Sequence, residues 1–186
     1  MLLYTSLTRI AFLPKDADDT PTDDDDVSAS PDAAAQFERE QHLVARLVHL
    51  MAHEDTDSLF GIYSSARTQF GKGGMRRIRY TLVPLLFSYM RLAQRVKVRE
   101  GKGEEVEINT RKVFQFIFQI ITALAGVDAY QELSLRLFLQ AARAADNCGL
   151  DAIGYEFMTR AFALYEDIAN SELQLNVSRP SSSTDR

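Results

Sequence analysis

Cysteine, histidine and long apolar runs are all scarce in this sequence of 186 residues. Cys148 is the only cysteine, which excludes a disulfide within the chain and fits a reducing compartment. The apolar stretch Met1–Leu13 is short, has no cationic region before it and carries Arg9. We therefore expect neither a secretory signal nor a membrane-spanning helix, because a span needs about 20 apolar residues.

Basic residues are missing from residues 16–26, which hold seven aspartates. The net charge of −5 is concentrated there, since the rest of the chain has 19 acidic and 21 basic residues, or about +2. Residues 14–31 are rich in Pro, Asp, Thr and Ser, so we expect an acidic disordered loop. The remaining composition is that of a soluble globular protein.

Motifs that usually carry catalysis are missing as well. The sequence has no Ser–His–Asp order, no paired-carboxylate motif and no dinucleotide fingerprint. The cluster Gly71-Lys72-Gly73-Gly74 hints at a phosphate loop, but such a loop needs a preceding strand and a Lys-Ser or Lys-Thr pair. Helix capping explains the glycines better. We expect no enzyme, no catalytic residue and no cofactor.

The three histidines, His42, His49 and His53, lie within about 40° of one another on one predicted helix. Glu38 belongs to the same stripe, and His49 and His53 have a spacing that suits zinc. Arg46 shares the stripe and would repel a cation. We expect a solvated polar face without a metal, and a zinc enzyme is the alternative interpretation.

Apolar periodicity predicts six helices, at residues 32–53, 57–71, 75–98, 109–124, 129–147 and 151–169. The fourth helix is apolar almost all round and should be covered on several sides. Inward positions of the sixth helix should be Phe157, Ala161, Leu164, Tyr165 and Ile168. Taken in order, the helices form about three pairs, which begin near Ala33, Met75 and Ala129. The spacing of about 40 to 55 residues between these starts is close to the length of a HEAT-type repeat. On the residues alone, an α-solenoid and a helix bundle are equally good interpretations.

The third predicted helix begins with Arg76, Arg77 and Arg79, where cations oppose the positive end of the helix dipole. Either local acids such as Glu54 or Asp55 neutralise these arginines, or an acidic partner does. The three arginines are therefore a possible partner-binding patch. Nucleic acid is not the expected partner, because the patch lacks interleaved aromatic residues and the chain is acidic overall.

Three long stretches resemble one known family, in the same order. They are Arg76–Phe87, which contains Pro84; Leu135–Ala142; and Tyr155–Asp167. Together they resemble the large subunit of retromer, the vacuolar protein sorting-associated protein 35 family, and the similarity runs from about Gln41 to Gln174. The resemblance implies an α-solenoid of HEAT-like helix pairs, matching the start of the carboxyl-terminal half of that subunit.

The resemblance also implies a function and a location. It implies a non-enzymatic scaffold subunit in retrograde transport from endosomes to the Golgi and to the cell surface. The expected partner is the phosphoesterase-like small retromer subunit, whereas the arrestin-like subunit is not expected to bind this part. The location implied is cytoplasmic and peripheral on endosomal membranes, through the complex. The alternative is an independent small α-helical adaptor with the same repeat architecture.

This interpretation divides the chain into four parts. Residues 1–13 are a remnant of a preceding helix, 14–31 the acidic loop, 32–175 the helical repeat domain and 176–186 a disordered tail. The last helix carries more apolar residues than one buried side can hold, and the polar tail cannot cover them. Phe162 and Tyr165 are therefore a possible exposed surface of an end repeat, through which the chain could self-associate.

Overall fold

The computed structural model of the chain describes residues 31–72 and 74–177, apart from the side chains at 31, 75, 76, 172 and 174–177. Its elements are α1 (Pro31–Val48), α2 (Thr56–Phe70), α3 (Met75–Gly101), α4 (Thr110–Ala125), a 3₁₀ turn (Asp128–Tyr130), α5 (Gln131–Asn147) and α6 (Asp151–Val177). The predicted all-α class is confirmed. Our expectations for residues 1–30 and 178–186 lie outside the described residues. Within the described part, no helix combines the length and the apolar character needed to cross a membrane.

Short polar residues fix where the helices begin. The carboxylate of Asp55 accepts a hydrogen bond from the Ser58 N–H at 2.7 Å and caps α2. Asn109 caps α4 in the same way through the Lys112 N–H at 2.8 Å. Each cap satisfies one of the amide groups that a helix start leaves unpaired.

Glycine determines two of the helix boundaries. Gly74 precedes α3 with φ of +75°, a backbone conformation that glycine adopts without the strain a side chain would add. After α5, the N–H of Leu150 donates to Ala145 O at 3.0 Å and that of Gly149 to Asp146 O at 2.8 Å. Gly149, with φ of +65°, completes this Schellman ending, which confirms the predicted stop.

The last helix is longer than predicted. α6 continues to Val177 instead of ending near Ala169, and it includes two residues that the sequence analysis placed in the tail. The sequence has no glycine or proline between Gly154 and Pro180, so no backbone signal ends the helix earlier.

The described residues form two compact units, 31–108 and 109–177. In the first unit α3 is the central helix and packs against both α1 and α2. The core is centred on Tyr89, which is fully buried and receives the rings of Phe60 and Tyr63 edge-on, with centroids 5.9 and 5.3 Å away. Burial raises the pKa of Tyr89 to about 12.

The first predicted helix pair does not pack as a pair. Within the described residues, α1 and α2 make no contact with each other, because each packs on α3. Contacts of α1 with α3 join residues about 42 apart, such as Glu38 with Arg79 and His49 with Arg91, so these helices run parallel. The 27 residues of α3 stay helical through Pro84 and are long enough to bury apolar residues against two neighbours.

In the second unit α5 packs against α4 and α6. Phe114, Phe118, Phe138 and Phe157 form an aromatic cluster with centroid distances of 5.5 to 6.2 Å. Close approach of α5 and α6 depends on small residues: a Cβ at Gly154 would lie 3.4 Å from Ala142 O. The α5 alanines Ala141, Ala142, Ala144 and Ala145 are all buried, and their small side chains allow this close approach.

Phe138→Ala should reduce the free energy of unfolding by about 3–5 kcal/mol, because this fully buried ring contacts two other phenylalanines. The neighbouring Leu139 is 43% exposed, and Leu139→Ala should cost less than about 1 kcal/mol. Urea unfolding followed by circular dichroism measures both values. Equal costs for the two substitutions would contradict the proposed core.

Candidate functional site

The arginines at the start of α3 contact α1. Arg79 forms an ion pair with Glu38 at 3.7 Å, lies 4.5 Å from the ring centroid of Tyr80 and donates to the Tyr80 hydroxyl. Arg77 lies 5.9 Å from the ring centroid of Phe37. Glu38 is thus an acid that pairs with Arg79, whereas Asp55, one of the acids suggested by the sequence, pairs with Arg99 near the other end of α3. The side chain of Arg76 is not among those described, and the patch as a partner-binding site stays a prediction.

Three further arginines, Arg91, Arg95 and Arg99, follow one another at every fourth position of α3 and hold the connection between α1 and α2. Arg95 donates to the backbone carbonyl oxygens of His53 at 3.0 Å and Glu54 at 2.7 Å. These arginines therefore fix the loop that positions α2 against α3.

Arg99 ends this row of arginines beside the cap of α2. It forms ion pairs with Asp55 at 3.4 Å and Glu104 at 2.8 Å and donates to the Thr56 hydroxyl. The pKa of Asp55 is lowered to about 2, first by the hydrogen bond from the Ser58 N–H. The start of α2 is therefore stabilised by the ionised carboxylate of Asp55, which accepts one hydrogen bond from the Ser58 N–H and another from the Arg99 guanidinium.

The three histidines have separate roles. The ring of His42 packs edge-on against Tyr80 with centroids 5.4 Å apart, and His49 Nδ1 lies 3.0 Å from Arg91. His53 Nδ1 accepts from the Asp55 N–H at 3.1 Å. Burial and the charge of Arg91 lower the pKa of His49. Among the described residues, no three groups of the His, Cys, Asp or Glu type are placed to hold a metal.

A row of exposed apolar side chains runs along α6, which we call the α6 stripe. Its members are Tyr155, Met158, Phe162, Tyr165 and Leu173. Phe162 is 63% exposed and Tyr165 59%, whereas Phe157, Ala161 and Leu164 of the same helix are buried. At 100° per residue the stripe occupies an arc of about 80°, beside the buried face and distinct from it. Tyr165 was expected on the inward face of α6, and that expectation is wrong.

The α6 stripe borders a groove of about 220 Å³ between α5 and α6. Its lining is Leu135, Leu139, Ala161, Phe162 and Tyr165. Tyrosine and phenylalanine on a rigid helix beside an apolar groove are typical of the central part of a protein–protein interface. The groove and stripe together form the candidate site of this chain.

A second, larger cleft lies between α4 and α6 and has a volume of about 540 Å³. Phenylalanines of the aromatic cluster form its floor, and its polar wall is lined by Arg111, Gln115, Gln119 and Glu156. This cleft could not be predicted from the sequence, because the position of Glu156 opposite the two glutamines depends on how α6 packs.

Loss of the charge at Asp55 should lower stability at acid pH. The folded state holds the pKa of this carboxyl at about 2, against 3.8 for the free group. The contribution of the ionised carboxylate to the free energy of unfolding is therefore complete above about pH 4 and is lost as the pH falls towards 2. Asp55→Asn keeps an acceptor for the Ser58 N–H but does not titrate. In urea unfolding, the advantage of the natural chain over the variant should shrink between about pH 4 and pH 2. A constant difference over this range would contradict the pKa assignment.

The α6 stripe should make the isolated chain self-associate, because association removes exposed aromatic surface from water. Sedimentation equilibrium should show a monomer–dimer equilibrium that Phe162→Glu weakens by at least about tenfold. Ser171→Glu adds the same charge on the opposite side of α6 and should leave the equilibrium unchanged. A chain that stays monomeric at the highest attainable concentration would exclude self-association through the stripe.

Comparison with known proteins places these features in a family. The family model described as "Vacuolar protein sorting-associated protein 35" matches residues 4–178. The chain is similar to vacuolar protein sorting-associated proteins 35A and 35B of Arabidopsis thaliana, each 39% identical, over 75% and 89% of this chain. It is 40% identical to vacuolar protein sorting-associated protein 35 of Dictyostelium discoideum over 73% of this chain. These matches cover 18 to 20% of the relatives' own lengths, so the chain spans about a fifth of the proteins it matches. With this match over most of its residues, the chain belongs to the vacuolar protein sorting-associated protein 35 family.

Proposed function

We propose that this chain is part of a non-enzymatic scaffold subunit of retromer, acting in retrograde protein transport from endosomes to the Golgi and to the cell surface. Family membership supports this proposal, since the curated relatives are named for vacuolar protein sorting. The observation that carries it in the structure is the α6 stripe with its adjoining groove. This surface is long, apolar and rigid, which suits another helix or a protein subunit better than a small molecule.

The polar residues support a scaffold role as well. The side chains that first suggested chemistry, the histidines and the arginines of α3, make contacts between helices in the first unit. Arg95 and Arg99 bind the backbone and cap of the α1–α2 connection. These groups therefore contribute to the relative positions of the helices, which a scaffold must keep constant while partners bind.

The proposed partner is the phosphoesterase-like small subunit of retromer, and the arrestin-like subunit is not expected to bind this part of the scaffold. The α6 stripe offers the aromatic anchors that usually dominate the affinity of such an interface. In this proposal the protein is cytoplasmic and associates with endosomal membranes indirectly, through the complex. Because the chain spans about a fifth of its relatives, it would supply only part of the partner surface.

Titration calorimetry with the purified phosphoesterase-like subunit tests the proposal. The natural chain should bind, and the double variant Phe162→Glu/Tyr165→Glu should bind at least about tenfold more weakly, equivalent to about 1.4 kcal/mol. Ser171→Glu, on the opposite side of α6, is the control for each added charge and should bind normally, and the single variant Phe162→Glu should already bind more weakly than this control. The arrestin-like subunit should give no heat of binding.

Two results would contradict this proposal. Equal affinity of the double variant and the control would exclude the α6 stripe as the contact surface. Absence of binding to either retromer subunit would favour the alternative function, an independent small α-helical adaptor with the same repeat architecture.

A further inference from the structure

The cleft between α4 and α6, which we call the α4–α6 cleft, has an apolar floor that is already in place. Its volume of about 540 Å³ is within the range of about 300–1,000 Å³ that is usual for ligand sites. Phe114 and Phe157 in the floor are each 1% exposed, and the ring centroid of Phe118 lies 5.5 Å from that of Phe157. Because the floor is part of the core of the second unit, its shape is fixed before any ligand binds.

The walls of the α4–α6 cleft carry groups that can bind a polar ligand. Arg111, Gln115 and Gln119 lie on the α4 wall and Glu156 on the α6 wall, and all four are exposed. Within the part of the chain that the structure describes, the side chains of Arg111, Gln115 and Glu156 make no hydrogen bond or ion pair with other protein groups. A cation, an anion and an amide are therefore available above an apolar floor.

The spacing of the polar groups on α4 matches that of an extended peptide. Arg111, Gln115 and Gln119 occupy every fourth position, so they lie about 6.0 Å apart along the helix axis and within about 80° around it. Alternate residues of an extended chain are about 6.6–6.8 Å apart. A side-chain amide has both donors and acceptors, so it can bond with the N–H and the C=O of a peptide backbone. Two glutamines one turn apart can therefore hold alternate residues of a bound peptide.

The charges of the walls favour a peptide with an acidic residue. The guanidinium of Arg111 can bind a carboxylate with two parallel hydrogen bonds, and it lies in the first turn of α4, where the helix dipole is positive. Glu156 on the opposite wall would repel a polyanion such as a nucleic acid or a lipid headgroup, whereas it can accept hydrogen bonds from peptide N–H groups. A single carboxylate at the Arg111 end satisfies both walls.

We propose that the α4–α6 cleft binds an extended acidic peptide of another protein. The carboxylate of the peptide lies on Arg111, its backbone is held by Gln115 and Gln119, and its apolar side chains contact the phenylalanine floor. This site shares no lining residue with the α6 stripe or the groove beside it. The proposal does not depend on the phosphoesterase-like partner or on the retromer assignment.

Fluorescence anisotropy with the full chain and a labelled peptide, acetyl-Asp-Leu-Ser-Leu-Ser-amide, tests the site. Arg111→Glu should weaken binding by at least about tenfold, because it places two carboxylates in contact. Lys112→Glu makes the same change of charge at an adjacent exposed residue that does not line the cleft, and it should leave the affinity unchanged. A peptide with Lys in place of Asp should reverse the order and bind Arg111→Glu better than the natural chain.

Three results would overturn the proposal. They are equal affinities of Arg111→Glu and Lys112→Glu for the acidic peptide, failure of the lysine peptide to prefer Arg111→Glu, and no saturable binding to the natural chain at roughly 1 mM peptide.

The backbone contact and the position of the site have tests of their own. Gln115→Ala should weaken the acidic peptide by roughly fivefold, and N-methylation of the third peptide residue should remove most of this difference, since it deletes the N–H that the glutamine binds. The same cost of Gln115→Ala for both peptides would contradict the proposed backbone contact. Phe162→Glu should leave the affinity unchanged. A loss in that variant would place the peptide in the groove beside the α6 stripe, and the α4–α6 cleft would be excluded as its site.

Discussion

Burial of apolar side chains on more than one face of a helix is the constraint on which this structure depends. A helix with one apolar stripe needs one neighbour, and a helix with two needs two. In their respective units, α3 and α5 have a helix on each side. The helices α1 and α6 carry an additional apolar face whose residues remain exposed, at Leu43 and Leu50 on one helix and Phe162 and Tyr165 on the other. This arrangement is what a stretch from a longer array of helix pairs shows, and it agrees with a chain that spans about a fifth of its relatives.

Polar side chains add the precision that apolar packing lacks. Apolar burial is non-directional and depends mainly on the area removed from water, whereas a hydrogen bond needs a donor–acceptor distance of about 2.7–3.2 Å and a nearly straight angle. Arg95 and Arg99 bind the α1–α2 connection, and the carboxylate of Asp57 accepts the Ile108 N–H at 2.9 Å, which ties the end of the first unit to the start of α2. The charged residues of this unit thus set the register of helices whose association is driven by apolar burial.

Much of the local structure could be predicted from the residues. The helices follow from apolar periodicity, and two of their boundaries from Asn109 and Gly149, because capping depends on neighbours within a few positions. The partners of the helices could not be predicted in this way. α1 was expected to pair with α2, and instead both pack on α3, since periodicity shows that a face is apolar without showing which face covers it. The same limit explains Tyr165, an apolar residue at a plausible inward position that the structure leaves exposed.

The helical class, most helix boundaries to within about three residues, and the family could be read from the amino-acid sequence. The helices and their boundaries depend on short-range backbone preferences, and the family is recognised from stretches such as Arg76–Phe87. Both signals are local in the sequence and do not depend on tertiary contacts. The pairing of Glu38 with Arg79, and the contacts of the α3 arginines with the α1–α2 connection, could be seen only in the folded chain. It also decided that the α6 stripe lies outside the buried face. The reason is that each of these contacts joins residues distant in the chain, or depends on the angle at which two helices pack, and neither property is encoded in a local pattern.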